Sequence, residues 1–512
     1  MSLKFFRAAA FLALLLPWLN PFAPGPSAAV VPWLVCLAAS AFLLLLSVFP
    51  VAIKDRIPLS FNQRWVLPVA YAWVAAGLIS SVFGLLQYLG YSAVFSPWIN
   101  HTSLGEAFAN LRQRNQFATL TMLALAALLG LALLMKKPVS RFSHALFLLA
   151  AALLAVGNAA SSSRTGLVQI AMLALVAPLV WTGWRAALPR NLLLVGVLSY
   201  ALSLMLLPWF AGGDFFSLGL VARLNTIDAV CSSRLTLWAN VLHLIAQKPW
   251  LGWGWGELSY AHHWALYTGP RFCDILDNAH NLPLHLAVEL GLPIALTLCA
   301  AFVFWIWTQK PWRERDVTRQ LAWAVLALIL LHSLLEYPLW YGPFQMAAGL
   351  CLLFLWRRNT AEKPSLLPRL LVGITAVFLA LACIYAARDY QRISQIYLMP
   401  ELRIPNYRED TLTKINHSRL FAGQARFATL ILTPLTPSNA QTIFESSGLL
   451  LHFSPEPRVI EKRIESALML GFEDEAKAQM RRYQQSFPLE FERWMQLNPA
   501  QKKRRCERIK RE

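Results

Sequence analysis

The sequence is short of charge, and shortest of negative charge. Its 512 residues hold 27 Asp and Glu against 46 Lys and Arg, only 14% charged in all. Soluble domains carry about 25%, so a chain built to face water on all sides is excluded. The net charge of +19 does not point to nucleic acid either. Most Lys and Arg lie in short loops between apolar runs, a pattern that sets membrane topology rather than a binding stripe. Cysteine is sparse, with seven in the chain, and none has zinc-ligand spacing. His262 and His263 are adjacent and point to different sides of any regular element, so no metal site and no cofactor are expected. Cys36, Cys299, Cys351 and Cys383 fall in apolar runs as packing residues. Cys231 and Cys273 share a polar loop. An oxidising compartment would join them in a disulfide; otherwise they are two lone thiols. An internal repeat between the two halves is also missing, which counts against a transporter.

What the chain has in quantity is apolar length. It is 57% hydrophobic, with mean hydropathy +0.47. Apolar runs of about 17–25 residues recur along it. The pattern predicts an all-α polytopic membrane protein with about eleven spans, near 5–20, 30–52, 66–90, 117–135, 143–158, 166–183, 192–210, 283–308, 321–336, 341–356 and 369–387. The first is read as an uncleaved helix, with a signal peptide cut after Ser27-Ala28-Ala29 as the alternative. Basic residues concentrate on alternate turns: Lys4 and Arg7, then Lys54, Arg56 and Arg64, then Lys136, Lys137 and Arg141, and later Arg357, Arg358 and Lys363. Positive charge stays inside. The opposite, non-cytoplasmic face therefore carries the large loop 211–282 and the polar stretches. The reading divides the chain into a membrane domain, 1–387, and a helical domain on that same face, 388–512, entered through a linker near 388–415. Ile460–Pro488 resembles one tetratricopeptide-like hairpin. Lys502–Glu512 reads as a frayed basic end.

The most telling stretch runs from Asp277 to Gly291. Five polar residues lead straight into an apolar run, and Pro283 suits the first turn of a helix. His285 and Glu289 are four apart and share a helix face. Ionisable groups in such a helix are costly and usually functional; the plain alternative is a buried pair that tethers two helices. Three further polar patches fall on the same side: Arg112-Gln113-Arg114-Asn115-Gln116, Ser161–Gly166, and His332–Tyr341 with Glu336, Tyr337 and Tyr341. The loop itself supplies Arg234-Leu235-Thr236-Leu237-Trp238 and Pro249-Trp250-Leu251-Gly252-Trp253-Gly254. Arginine at a membrane–water boundary suits phosphate, because its planar fork binds oxygens in pairs and keeps its charge.

These residues carry a resemblance. Arg234…Trp238…Pro249–Gly254, followed by His280-Asn281…Leu284…Glu289-Leu290-Gly291, is similar to the signature of the O-antigen ligase and polymerase superfamily. Arg112–Ala118 and Glu336–Tyr341 resemble its protein O-oligosaccharyltransferases of the PglL type, although Arg114 stands where that subgroup has proline. The resemblance implies a metal-independent, GT-C-like membrane glycosyltransferase. It would move an oligosaccharide en bloc from undecaprenyl pyrophosphate to Ser or Thr of a periplasmic protein such as pilin. In that reading Arg234 stabilises the leaving pyrophosphate, supported by Arg164 and Arg112. His280 is the base, since histidine titrates near neutrality. Gln116, Tyr337 and Tyr341 bind sugar or phosphate, and Glu289 orients His285 or lines the cavity. Ligation of glycan to lipid A core is the nearest alternative. Glycan polymerisation and transport are more distant ones.

Overall fold

The computed structural model describes residues 2–49, 60–135, 140–225, 230–356 and 366–496. It is 76% helix, with no strand among the described residues. In chain order the helices are α1 (Leu3–Leu19), α2 (Val30–Val48), α3 (Phe61–Tyr88), α4 (Arg114–Leu134), α5 (Arg141–Ala160), α6 (Arg164–Val180), α7 (Ala187–Phe210) and α8 (Gly219–Asn225). There follow α9 (Arg234–Gln247), α10 (Leu258–Trp264), α11 (Leu282–Leu290), α12 (Leu292–Gln309), α13 (Val317–Ser333), α14 (Gly342–Trp356) and α15 (Leu366–Ser394). The last six are α16 (Thr411–Ile415), α17 (Ala422–Leu432), α18 (Ala440–Phe453), α19 (Pro457–Leu470), α20 (Glu473–Ser486) and α21 (Pro488–Gln496).

Among the described residues, seven helical segments are long and apolar enough to cross a membrane, and α6, α13 and α14 are shorter apolar helices. The chain is thus an all-helical, multi-pass protein, without the count of eleven being fixed. Lys54, Arg56, Lys136, Lys137, Arg357, Arg358, Lys363 and the basic end Lys502–Glu512 lie outside the described residues.

The chain forms two compact units, 1–227 with 304–387, and 228–303 with 388–512. Residues 228–303 thus group with the tail, not with the helices that flank them in sequence.

In the first unit α4 is central and almost wholly buried, packed by α3, α5, α6 and α13. Lipid tails are as apolar as leucine, so close backbone approach through small residues holds such helices together. A Cβ on Gly77 would lie 2.3 Å from the Cβ of Ala124, and one on Gly157 would lie 2.2 Å from the Ser81 hydroxyl. Inside the unit the Thr119 hydroxyl bonds Gln169 and His332 Nδ1, at 3.1 and 2.9 Å, knitting α4, α6 and α13. Buried Gln87 of α3 holds the loop before α4. Its amide donates to the carbonyls of Asn100 and Ala109, and its oxygen accepts from the N–H groups of Phe108 and Ala109.

In the second unit α9 buries Leu237, Val241, Leu244 and Ile245, the spacing of one helix face, against α10 and α11. The tail helices α17 to α20 pack each on the next. The hairpin expected over 460–488 is α19 and α20, turned by Gly471 at φ 82°. It is preceded by a second pair, α17 and α18. The tail bonds the loop directly. Tyr267 and Gln485 exchange N–H and C=O bonds at 3.2 and 2.8 Å, and His263 Nε2 meets Gln479 Oε1 at 3.2 Å. Glu257 pairs with His452 at 2.7 Å.

Candidate functional site

The sequence predicts one helix over 283–308; the structure breaks it at Gly291, where φ is 85°. α11 is a nine-residue helix of the outer-loop unit, and the apolar span begins only at Leu292. The break has a backbone cause. Trp253 and Gly254 donate to the carbonyls of Val288 and Glu289 at 2.9 and 3.0 Å, and Leu292 donates to Pro249 at 2.8 Å. Two chain segments therefore cross with nothing between them. A Cβ on Gly252 would sit 2.4 Å from the Glu289 carbonyl, and one on Gly291 would sit 2.2 Å from the Trp250 oxygen. Both glycines have positive φ, which L-residues with side chains avoid. The Pro249–Gly254 and Glu289–Gly291 motifs are the two halves of one clasp.

The clasp and α11 fix the segment before them. Asn281 caps α11 by accepting the Leu284 N–H at 3.1 Å. Ala279 donates its N–H to His285 Nδ1 at 3.5 Å, and its carbonyl accepts the Trp238 indole N–H at 3.1 Å. Trp238 lies one turn after Arg234 on α9. His280 itself is left-handed, φ 50°, with its N–H on Asn278 Oδ1 at 2.9 Å. A non-glycine residue held there costs free energy, and such strain clusters at functional positions. Arg234 is the first residue of α9, which has no acid in its first turn. Guanidinium and positive helix end stand together, a combination that favours an anion.

His285 and Glu289 are each 2% exposed, with Nε2 and Oε2 3.5 Å apart. Burial lowers His285 to about 4 and raises Glu289 to about 7, the latter partly offset by a backbone hydrogen bond from Gly256. Both shifts favour neutral forms, so around neutrality the contact is a hydrogen bond more than an ion pair. With Nδ1 accepting from Ala279, the imidazole proton is on Nε2 and faces the carboxyl. The pair supports the backbone that carries His280.

Cys273 donates its N–H to the Cys231 carbonyl at 3.0 Å, and the two thiols are hydrogen-bonded neighbours.

The other predicted residues lie in the first unit. Arg112, left-handed at φ 59°, donates to the Pro21 carbonyl, and partial burial lowers its pKa. Arg114 pairs with Glu106 at 2.8 Å and starts α4, a position that proline also suits. Gln116 lines one narrow cleft with Gln113, His332, Glu336, Tyr337 and Tyr341. The Tyr337 and Tyr341 rings stack at 5.8 Å. Asn115 donates to Glu336 at 3.1 Å and accepts from Ser163 at 2.6 Å.

Arg164, exposed at the start of α6, donates to the Arg223 carbonyl at 2.7 Å. Arg223 in turn donates to the carbonyl of Ser162 at 2.8 Å. Arg223 is not among the residues that the sequence singles out. Nothing in its spacing marks it, because α8 folds it back across 59 positions.

Three family models match the chain: "Protein glycosylation ligase" over 107–132, "O-Antigen ligase" over 149–298, and "Virulence factor membrane-bound polymerase, C-terminal" over 320–502. Parts of the chain are thus similar to the O-antigen ligases and to the protein glycosylation ligases. The chain is 26% identical over 304 residues to a general O-oligosaccharyltransferase of Acinetobacter baylyi, covering 56% of the chain and 50% of that protein. It is 23% identical over 297 residues to a ComP-specific O-oligosaccharyltransferase of the same organism, covering 57% and 52%. The chain thus spans about half the length of the curated relatives it matches. The ligase match contains Arg164, Arg234, His280 and the clasp, and the glycosylation-ligase match contains Arg112 and Gln116.

Proposed function

We propose that this protein transfers an oligosaccharide en bloc from undecaprenyl pyrophosphate to a Ser or Thr hydroxyl of a periplasmic, pilin-like protein, at the outer face of the inner membrane. The observation that carries the reading is His280, held left-handed between the α9 assembly bearing Arg234 and the α11 clasp. The acceptor oxygen attacks the anomeric carbon and His280 takes its proton. The bond from that carbon to the pyrophosphate oxygen breaks, with inversion. The pyrophosphate leaves as an anion, so it needs positive charge more than protonation. Arg234 supplies that charge. His285 and Glu289 act through the backbone of Ala279. Cys231 and Cys273 join in an oxidising compartment and bind the start of α9 to the run before His280.

The test is glycoprotein formation in cells that make a lipid-linked glycan and a candidate pilin. His280→Ala and Arg234→Ala are each expected to lower transfer about 10²–10⁴-fold while the chain still inserts. Normal yield from His280→Ala removes it as the base. The ligase match also favours a second acceptor: glycan arriving on lipid A core instead of protein would make the chain an O-antigen ligase. A lengthened glycan on its own carrier would make it a polymerase.

A further inference from the structure

Asn278 is 4% exposed, and its Nδ2 has no hydrogen-bond partner among the described residues. The side chain is otherwise committed, its Oδ1 accepting the His280 N–H at 2.9 Å. Three acceptors close to it in the chain are already engaged: the Ala279 carbonyl takes the Trp238 indole, His285 Nδ1 takes the Ala279 N–H, and Asn281 Oδ1 takes the Leu284 N–H. A buried N–H₂ with nothing to donate to is costly, and here it stands two residues from the proposed base. The nearest charge on the adjoining helix is Arg234, one turn from Trp238, at a helix end that is itself positive. An oxygen drawn to that place is anionic.

We propose that Asn278 is a ligand-binding residue whose amide N–H₂ donates to a phosphate oxygen of the lipid-linked donor, while its oxygen sets the backbone of His280. This rests on the donor chemistry proposed above. One side chain then registers the leaving group against the base. The acceptor hydroxyl plays no part in the contact.

The experiment uses the purified full-length chain, with lipid-linked glycan and acceptor protein varied separately, and inorganic pyrophosphate binding followed by calorimetry. Asn278→Asp keeps the oxygen that holds His280 and loses the donor. It is expected to raise the donor KM and the pyrophosphate Kd about tenfold or more, leaving the acceptor KM unchanged. Asn278→Ala loses both roles and should also lower kcat. Asn278→Ser, whose hydroxyl still accepts but reaches less far, replaces Asn278→Asp if thermal unfolding shows that variant to be misfolded. Unchanged donor KM and pyrophosphate affinity in these variants overturn the proposal, as does a loss confined to the acceptor KM. Pyrophosphate binding needs no transfer. If the wild type binds it, Asn278→Asp does not, and no glycan is ever transferred, the reaction proposed above falls while the Asn278 contact stands.

Discussion

The outer loop and the polar patch of the membrane unit hold their residues by different means. Around Gly252 and Gly291 the chain is clasped backbone to backbone, and His280 inherits its conformation from N–H and C=O groups that every sequence possesses. Around Asn115 and Glu336 separate segments are joined by side chains, through the Ser163–Asn115–Glu336 relay and the stacked Tyr337 and Tyr341. The clasp tolerates almost any neighbour but only glycine at two points. The relay needs particular side chains and no glycine, although Arg112 and Ser162 beside it are left-handed as well. A loop that must hold a strained residue gains more from the first device, because backbone crossings leave no rotamer to relax.

The sharpest way to break this contrast is Gly291→Ala. Its Cβ would meet the Trp250 oxygen at 2.2 Å, backbone that cannot rotate aside, at a φ of 85°. We expect a loss of about 3–5 kcal/mol in the outer-loop unit. It should show as proteolysis between 249 and 291 and as loss of transfer, with insertion intact. Near-normal protease resistance and activity would mean that the clasp is not what fixes His280.

Asn115→Ala should do much less. It removes a hydrogen bond to Glu336 and another from Ser163, worth about 1–2 kcal/mol together. The membrane unit should remain folded, with a thermal midpoint only slightly lowered. Asn115→Asp, which still accepts from Ser163 but faces a carboxylate, should be worse than Ala. If Asn115→Ala were as damaging as Gly291→Ala, the patch would be as rigidly specified as the loop.

Much of this was legible in the residues. The apolar runs mark the helices, and Leu237, Val241, Leu244 and Ile245 give the buried face of α9. Pro283 announces the start of α11. The break at Gly291 was not legible, because a glycine inside an apolar run reads as a tolerated helix residue. Its cause lies in the 249–254 segment, and bonds between backbones leave no side-chain signature. The four-residue spacing of His285 and Glu289 puts them on one face without saying that the face is turned inward. Arg223 escaped for a related reason: its contacts with Arg164 and Ser162 are created by a turn.

The mildest test concerns the tail, where the loop is held by side chains again and pH is the lever. His262 and His263 are 3% and 2% exposed. Burial lowers His262 to about 3, helped by Arg271, with a bond to the Phe272 carbonyl opposing. Burial lowers His263 to about 4, with Arg271 and Arg482 adding to it and Gln479 opposing. Both folded values lie below the ordinary histidine value, so between them the unfolded chain binds more protons. Stability is therefore full above about pH 6.5 and falls as pH drops toward 4. The expected loss is about 1 kcal/mol per histidine by roughly pH 6. Protection factors over 258–267, taken relative to the intrinsic exchange rate at each pH, should fall on acidification, and His263→Gln should remove about half of that dependence, since an amide still reaches Gln479 and takes no proton. Protection that stays flat from pH 7.5 to 5 would place the docking of loop on tail in the Tyr267–Gln485 and Glu257–His452 contacts instead. In that case side-chain identity at 262 and 263 would matter as little to the tail as it does to the clasp.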